Sequence, residues 1–119
     1  MTYDDVLAYA AEKYGTRPDY PWQRHPEYAV LRHRDSRKWY GLLMKVAAGT
    51  LGVDGGGRVE ILNVKAEKNW VSQLRGQPGF LPAYHMDKAN WLTILLDGSR
   101  HGEVAALLAE SYRLTGGSV

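Results

Sequence analysis

Apolar positions at helical spacing open the chain: Tyr3, Val6, Leu7, Ala10, Ala11 and Tyr14 share one stripe. Thr2 suits the cap of that helix, Asp4 and Asp5 favour its positive end, and Gly15 can terminate it. Prolines at 18, 21 and 26 then forbid regular structure until about Tyr28 and define a long aromatic loop expected to lay Tyr20 and Trp22 over one end of the core. From Tyr28 the period changes to two. Strands are expected at Tyr28–His33 and Lys38–Val46, joined by the polar turn Arg34–Arg37 as an antiparallel hairpin. Strict alternation would put Tyr40, Leu42, Met44 and Val46 on one face of the second strand and Trp39, Gly41, Leu43 and Lys45 on the other, with Gly41 marking a bulge or a close approach.

Five glycines in Ala47–Gly57 read as a hairpin connection, because the segment has neither GxGxxG nor the Lys-Ser/Thr of a phosphate loop. A third strand is expected at Val59–Lys65 and a short helix at Ala66–Arg75, using Trp70, Val71 and Leu74. Two prolines and a glycine make Gln77–Ala83 an ordered loop. The apolar run Trp91–Leu96 has strand length, Asp97-Gly98-Ser99 turns the chain, and His101–Leu114 forms a closing helix with Val104, Leu107, Leu108, Ser111 and Tyr112 on one stripe. Gly116-Gly117 stops it. Helices at both ends of a set of antiparallel strands give an α+β class, a sheet packed against N- and C-terminal helices, in a single domain over 1–119.

Composition narrows the chemistry. The absence of cysteine removes disulfides, thiolate metal sites and a thiol nucleophile. No serine stands in a GxSxG elbow, and the histidines at 25, 33, 85 and 101 have no HExxH or HxH spacing, so neither an enzyme nor a metal or other cofactor is expected. The start MTYDDVLAYAAEK lacks the layout of a secretory signal, no apolar run approaches membrane-spanning length, and a cytoplasmic location is expected. Net charge is only +2, but Arg17, Arg24, Arg32, Arg34, Arg37, Lys38 and Lys45 face just three acids within residues 17–45. If folding gathers these cations, a polyanion can use them; otherwise they solubilise a hairpin edge.

The most specific stretch is LPAYHMDKANWLTILLDG, residues 81–98, with Pro82, His85, Met86, Asp87, Lys88, Trp91, Asp97 and Gly98 in a fixed order. It resembles the signature of the MmcQ/YjbR family, as do Asp19-Tyr20-Pro21-Trp22 after the first helix and Lys65 at the end of a strand. The resemblance implies a frataxin-like, CyaY-like α+β domain, a DNA-binding role and no assigned catalytic activity. DNA phosphates would be met by Arg32, Arg34, Arg37 and Lys38 on a winged hairpin together with Lys65, His85 and Lys88. A second reading makes Tyr84, His85, Lys88 and Trp91 the lining of a pocket for an anionic small molecule or a protein carboxylate. In a third, the same residues are structural: Asp87 caps a turn, His85 satisfies a loop carbonyl and Trp91 packs in the core. The frataxin likeness also raises iron handling, but Asp4, Asp5 and Glu12 on the first helix serve more simply as its solvent face and dipole partners. Oligomeric state is not legible in the sequence.

Overall fold

A computed structural model of the chain describes residues 1–116. Helix α1 (Tyr3–Tyr14) begins at a reciprocal cap: the Asp5 N–H donates to the Thr2 hydroxyl at 3.2 Å, and the Thr2 N–H donates to the Asp5 carboxylate at 3.0 Å. Gly15, at φ 65°, turns the chain out of it. Strands β1 (Ala29–Arg32), β2 (Trp39–Ala47) and β3 (Arg58–Lys65) follow, with a single 3-10 turn at Ala48–Leu51 between the last two. After α2 (Lys68–Leu74) come β4 (Phe80–Pro82), β5 (Trp91–Leu96) and α3 (His101–Thr115). Gly116 closes α3 as expected, whereas Gly117 lies outside the described residues.

All pairings are antiparallel, in the order β1-β2-β3-β5-β4. The short strand β4 corrects the reading of residues 77–83 as loop throughout: Leu81 pairs with Thr93 at the outer edge of β5. Pro82 is tolerated there because an edge strand need not donate on both sides. Among the described residues no helix is long and apolar enough to cross a membrane.

The two faces of the sheet are covered differently. Both long helices lie on one face, where Val6, Ala10, Leu43, Leu62, Leu92, Leu107 and Leu108 belong to one buried cluster. On the other face Val30, Leu42, Met44, Val46 and Ile61 form a second cluster, against which loop residues such as Trp22, Tyr28, Tyr84 and Met86 pack. Tyr20 does not join them; it is 48% exposed. Its neighbour Asp19 pairs with Val30 at the edge of β1, which turns the next side chain outward.

Strict alternation along β2 also fails, and the failure organises the site. Leu31 pairs with Gly41 but Arg32 pairs with Trp39, so Tyr40 is an extra residue at a bulge. Tyr40 therefore joins the helix-face cluster with Leu43, and Trp39 turns to the loop-covered face with Leu42 and Met44. Gly41 is required there, since a Cβ would stand 2.9 Å from Leu31 Cδ1. Where β2 and β3 part, Ser111 of α3 enters the gap: the Lys65 N–H donates to its hydroxyl at 2.9 Å, and the hydroxyl donates to the Tyr40 carbonyl at 2.6 Å. Around this point Tyr14 stacks on Tyr112 at 4.1 Å and Tyr40 meets Tyr112 edge-on at 4.9 Å, which ties the C-terminal ends of both helices to the sheet.

Candidate functional site: an arginine cleft beside an aromatic cleft

The hairpin between β1 and β2 turns tightly, with Arg37 at φ 64°, and brings its cations to the end of α1. Arg32, Arg34 and Arg37 line one open cleft of about 480 Å3 together with Gly15, Thr16 and Arg17. Among the described residues no carboxylate lines it. Asp19 stands beside it: its Oδ2 accepts from Arg32 Nε at 3.0 Å and lies 3.8 Å from Arg37 Nη2. Among the described residues Arg17 and Arg34 make no ion pair. Four guanidiniums, with Asp19 and the exposed turn residue Asp35 as the neighbouring carboxylates, leave an excess of positive charge beside the hairpin, with planar donors suited to phosphate oxygens. Arg17 is the member that sequence reasoning left out of the site; it precedes Arg32 by fifteen residues, and only the packing of α1 brings it there.

Next to this cleft, on the loop-covered face, lies a second of about 450 Å3. Leu42 and Met44, both nearly inaccessible, contribute its apolar base. Trp22, His25 and Tyr28 reach it from the proline-rich loop, where the His25 ring stacks on Tyr28 at 4.3 Å and Trp22 meets Tyr28 edge-on at 5.9 Å. Burial pushes the Tyr28 phenol above its usual range, so it stays a protonated donor at neutral pH. Tyr84, His85 and Met86 line it from the loop before β5. Trp39 completes the lining, and the Arg32 guanidinium lies 5.5 Å from the Trp39 ring, so Arg32 belongs to the first cleft while covering part of the second.

A buried polar network fixes the loop that carries Tyr84. The Thr93 hydroxyl donates to Asn63 Oδ1 at 2.5 Å and accepts from the Tyr84 N–H at 2.9 Å, while Asn63 Nδ2 donates to the Tyr84 carbonyl at 2.8 Å. Asn63 and Thr93 face each other across β3 and β5 and are fully buried, so each hydrogen bond they make is hard to replace. The neighbouring His85 adopts φ 61°, a left-handed conformation uncommon for a residue with a Cβ.

The structure divides the residues expected to act together. Tyr84 and His85 line the aromatic cleft, but Lys88 and Trp91 do not. Lys88 Nζ donates to the Ala83 carbonyl at 2.8 Å, closing its own loop, and Lys88 lines a smaller cleft of about 280 Å3 with Lys68 and Arg75. Asp87 does cap the turn, accepting from the Ala89 N–H at 3.0 Å and from Asn90 Nδ2 at 2.8 Å; these bonds, Asn90's first, hold its carboxyl below the usual range. Trp91 is half-buried and belongs to neither apolar cluster, against the expectation of a core role, because as the first residue of β5 it pairs with Lys65 at the end of the sheet. Lys65 reaches the same end of the sheet as Arg32 and Lys38, and Lys88 precedes β5 there. The sequence pointed to one part of the aromatic cleft, Trp22 in the Asp19-Tyr20-Pro21-Trp22 segment, but alternation put Trp39 on the opposite face from Leu42 and Met44, and the lining comes from three separated segments.

Five antiparallel strands, helices from both chain ends on one face and a loop-built cleft on the other define a small α+β domain. The chain belongs to the YjbR family, whose model matches residues 11–114. It is 45% identical over 116 residues to the uncharacterized protein YyaQ of Bacillus subtilis (strain 168), covering 97% of this chain and 98% of that protein. A crystal structure of a Pseudomonas syringae protein matches with a TM-score of 0.93 at 42% identity, over 97% of this chain and 99% of the other. A Deinococcus radiodurans protein with domain DUF419 shares the fold at a TM-score of 0.73 and 23% identity, over 98% of this chain and 80% of the other.

Proposed function

We propose that this protein binds DNA by holding backbone phosphates on Arg17, Arg32, Arg34 and Arg37, with Lys38 and Lys65 extending the basic surface at the same end of the sheet. The observation that carries the reading is the arginine cleft, which four arginines line and to which no carboxylate among the described residues contributes. An ammonium or guanidinium that meets a phosphate releases condensed counterions, so such a surface binds without reading sequence. The turn at His85 and Lys88 contributes less than the hairpin, because Lys88 is committed to the Ala83 carbonyl. The same commitment weakens the alternative of an anion pocket built from Tyr84, His85, Lys88 and Trp91.

Affinity for a short duplex measured across a salt series tests this. Four phosphate contacts give a log-log slope of about −3.6, at about −0.9 per contact on B-form DNA. Replacing Arg17 and Arg34 with alanine, both exposed and free of ion pairs among the described residues, should bring the slope to about −1.8 without changing the melting temperature. A slope near zero in the unaltered protein, or a double variant that binds with an unchanged slope, would rule the reading out.

A further inference from the structure

The arginine cleft and the aromatic cleft meet at the contact of Arg32 with Trp39, and we propose that together they hold an unpaired nucleotide, its base in the aromatic cleft and its phosphate on the arginines. This rests on the phosphate reading above and goes further by naming what the phosphate is attached to.

Four observations select that ligand. The aromatic cleft has no Asp, Glu, Lys or Arg in its lining; Trp, Tyr and His rings line it together with Leu42, Met44 and Met86, which favours a flat, uncharged ring system. Ring nitrogens of His25 and His85, the phenols of Tyr28 and Tyr84 and the indole N–H groups of Trp22 and Trp39 are polar groups of the lining residues, of the kind that can meet the edge of a heterocycle. The volume of about 450 Å3 lies within the roughly 300–1,000 Å3 typical of sites for small organic ligands. Charge beside the cleft decides what the ring must carry. An aromatic box otherwise suits an organic cation, but Arg32 on Trp39 and the arginines beyond it repel one and attract an anionic substituent. A base within a duplex has both faces covered and its edge paired, so it cannot enter a recess of this kind until it is unpaired. A phosphorylated heterocycle satisfies both halves, whether it is a free nucleotide or part of a single strand. Stacking on aromatic side chains beside a positively charged track is the general means of holding unpaired bases.

The indole N–H signals of Trp22 and Trp39 report on the aromatic cleft, and Trp70, which packs on the helix face, serves as the control. Labelled protein is titrated with thymidine 5′-monophosphate, a hexathymidylate strand, the corresponding duplex and inorganic phosphate. The expected result is movement of both cleft indoles with the strand or the monophosphate, an unmoved Trp70, and shifts confined to the arginine hairpin with duplex and inorganic phosphate. A response to the monophosphate identifies a free nucleotide as sufficient; a response to the strand alone identifies single-stranded nucleic acid. If duplex and strand shift the arginine hairpin alike while both indoles stay still, the nucleotide inference fails and phosphate binding survives. If no signal moves at low salt, both fail. Trp22→Leu should weaken the strand by roughly 5- to 150-fold, the loss that removal of one stacking partner produces, while leaving duplex affinity unchanged. Equal weakening of strand and duplex in that variant overturns the inference, and the indole shifts of the unaltered protein decide it independently of how the variant folds.

Discussion

Replacing Thr93 with valine keeps the shape of the side chain and removes one oxygen, and that oxygen holds two partners. Its hydroxyl hydrogen goes to Asn63 Oδ1, and its lone pair receives the Tyr84 N–H. Valine at 93 leaves both without a partner in a place where Asn63 and residue 93 are fully buried. A buried polar group left unsatisfied costs about 1–3 kcal/mol. Asn63 Oδ1 bears that cost in full; the Tyr84 N–H, in a half-buried residue, bears the lower end, so the sum is about 2–4 kcal/mol. For a chain of this size each kcal/mol lowers the melting temperature by about 4 °C, which predicts a fall of about 8–16 °C. Thermal melts measure the total, and hydrogen exchange at the Tyr84 amide locates it. The loop carrying Tyr84 and His85 should open more readily in the variant, and any ligand of the aromatic cleft should bind more weakly. Combining Thr93→Val with Asn63→Leu should cost less than the sum of the two single changes by about 1 kcal/mol or more, because the groups share one network. A variant within about 0.5 kcal/mol of the parent, with Tyr84 as protected as before, would show that the network does not hold the loop.

Two further outcomes follow from the helix face. Burial, reinforced by the nearby Lys38 charge and opposed by the Tyr112 carbonyl, holds His33 below its ordinary value of 6.5. The unfolded chain therefore takes up the proton first as pH falls, so this contribution to stability is complete above about pH 6.5 and is lost as pH falls toward the folded value. Melts at pH 7.5 and pH 5 should differ less for His33→Gln, whose amide can still donate to the Thr115 hydroxyl that His33 Nε2 meets at 2.8 Å, than for the parent; equal differences would refute the assignment. Gly41→Ala puts a methyl group 2.9 Å from Leu31 Cδ1 and 3.5 Å from Leu108 Cδ1, and neither leucine has room to swing into solvent. Overpacking of this kind costs about 1–3 kcal/mol, and an unshifted melting temperature would mean that β2 can slide to relieve it.

How far the sequence could be read depended on whether a feature was local. Helix α1 is bounded by Thr2, Asp5 and Gly15, whose effects act within one turn, and its expected limits match those observed. Strand β5 and the body of α3 were equally legible from their apolar spacing. Strand β4 was not, because three residues containing a proline carry no period, and their pairing with β5 is a tertiary event. The bulge was foreshadowed by Gly41, yet its consequence was not: one extra residue exchanged the faces of Trp39 and Tyr40. Among the candidate site residues, Arg32, Arg34 and Arg37 could be grouped because one hairpin carries them. Arg17 joins them only through the end of α1, and Lys88 leaves the His85 group because its own loop offers the Ala83 carbonyl as a nearer partner.

The pairing of Asp19 with Val30 does more than hold a loop. The Val30 N–H donates to the Asp19 carbonyl at 2.8 Å and the Asp19 N–H donates to the Val30 carbonyl at 3.0 Å, so at this residue both outward main-chain groups of β1 are engaged. An exposed strand edge is a template on which other chains can add and grow into aggregates. At the opposite border β4 is three residues long and ends in proline. Each border is therefore a poor seed for intermolecular strand addition. Asp19→Pro, which deletes the N–H that reaches the Val30 carbonyl, would reopen part of that border, whereas other side chains at 19 leave both main-chain bonds in place.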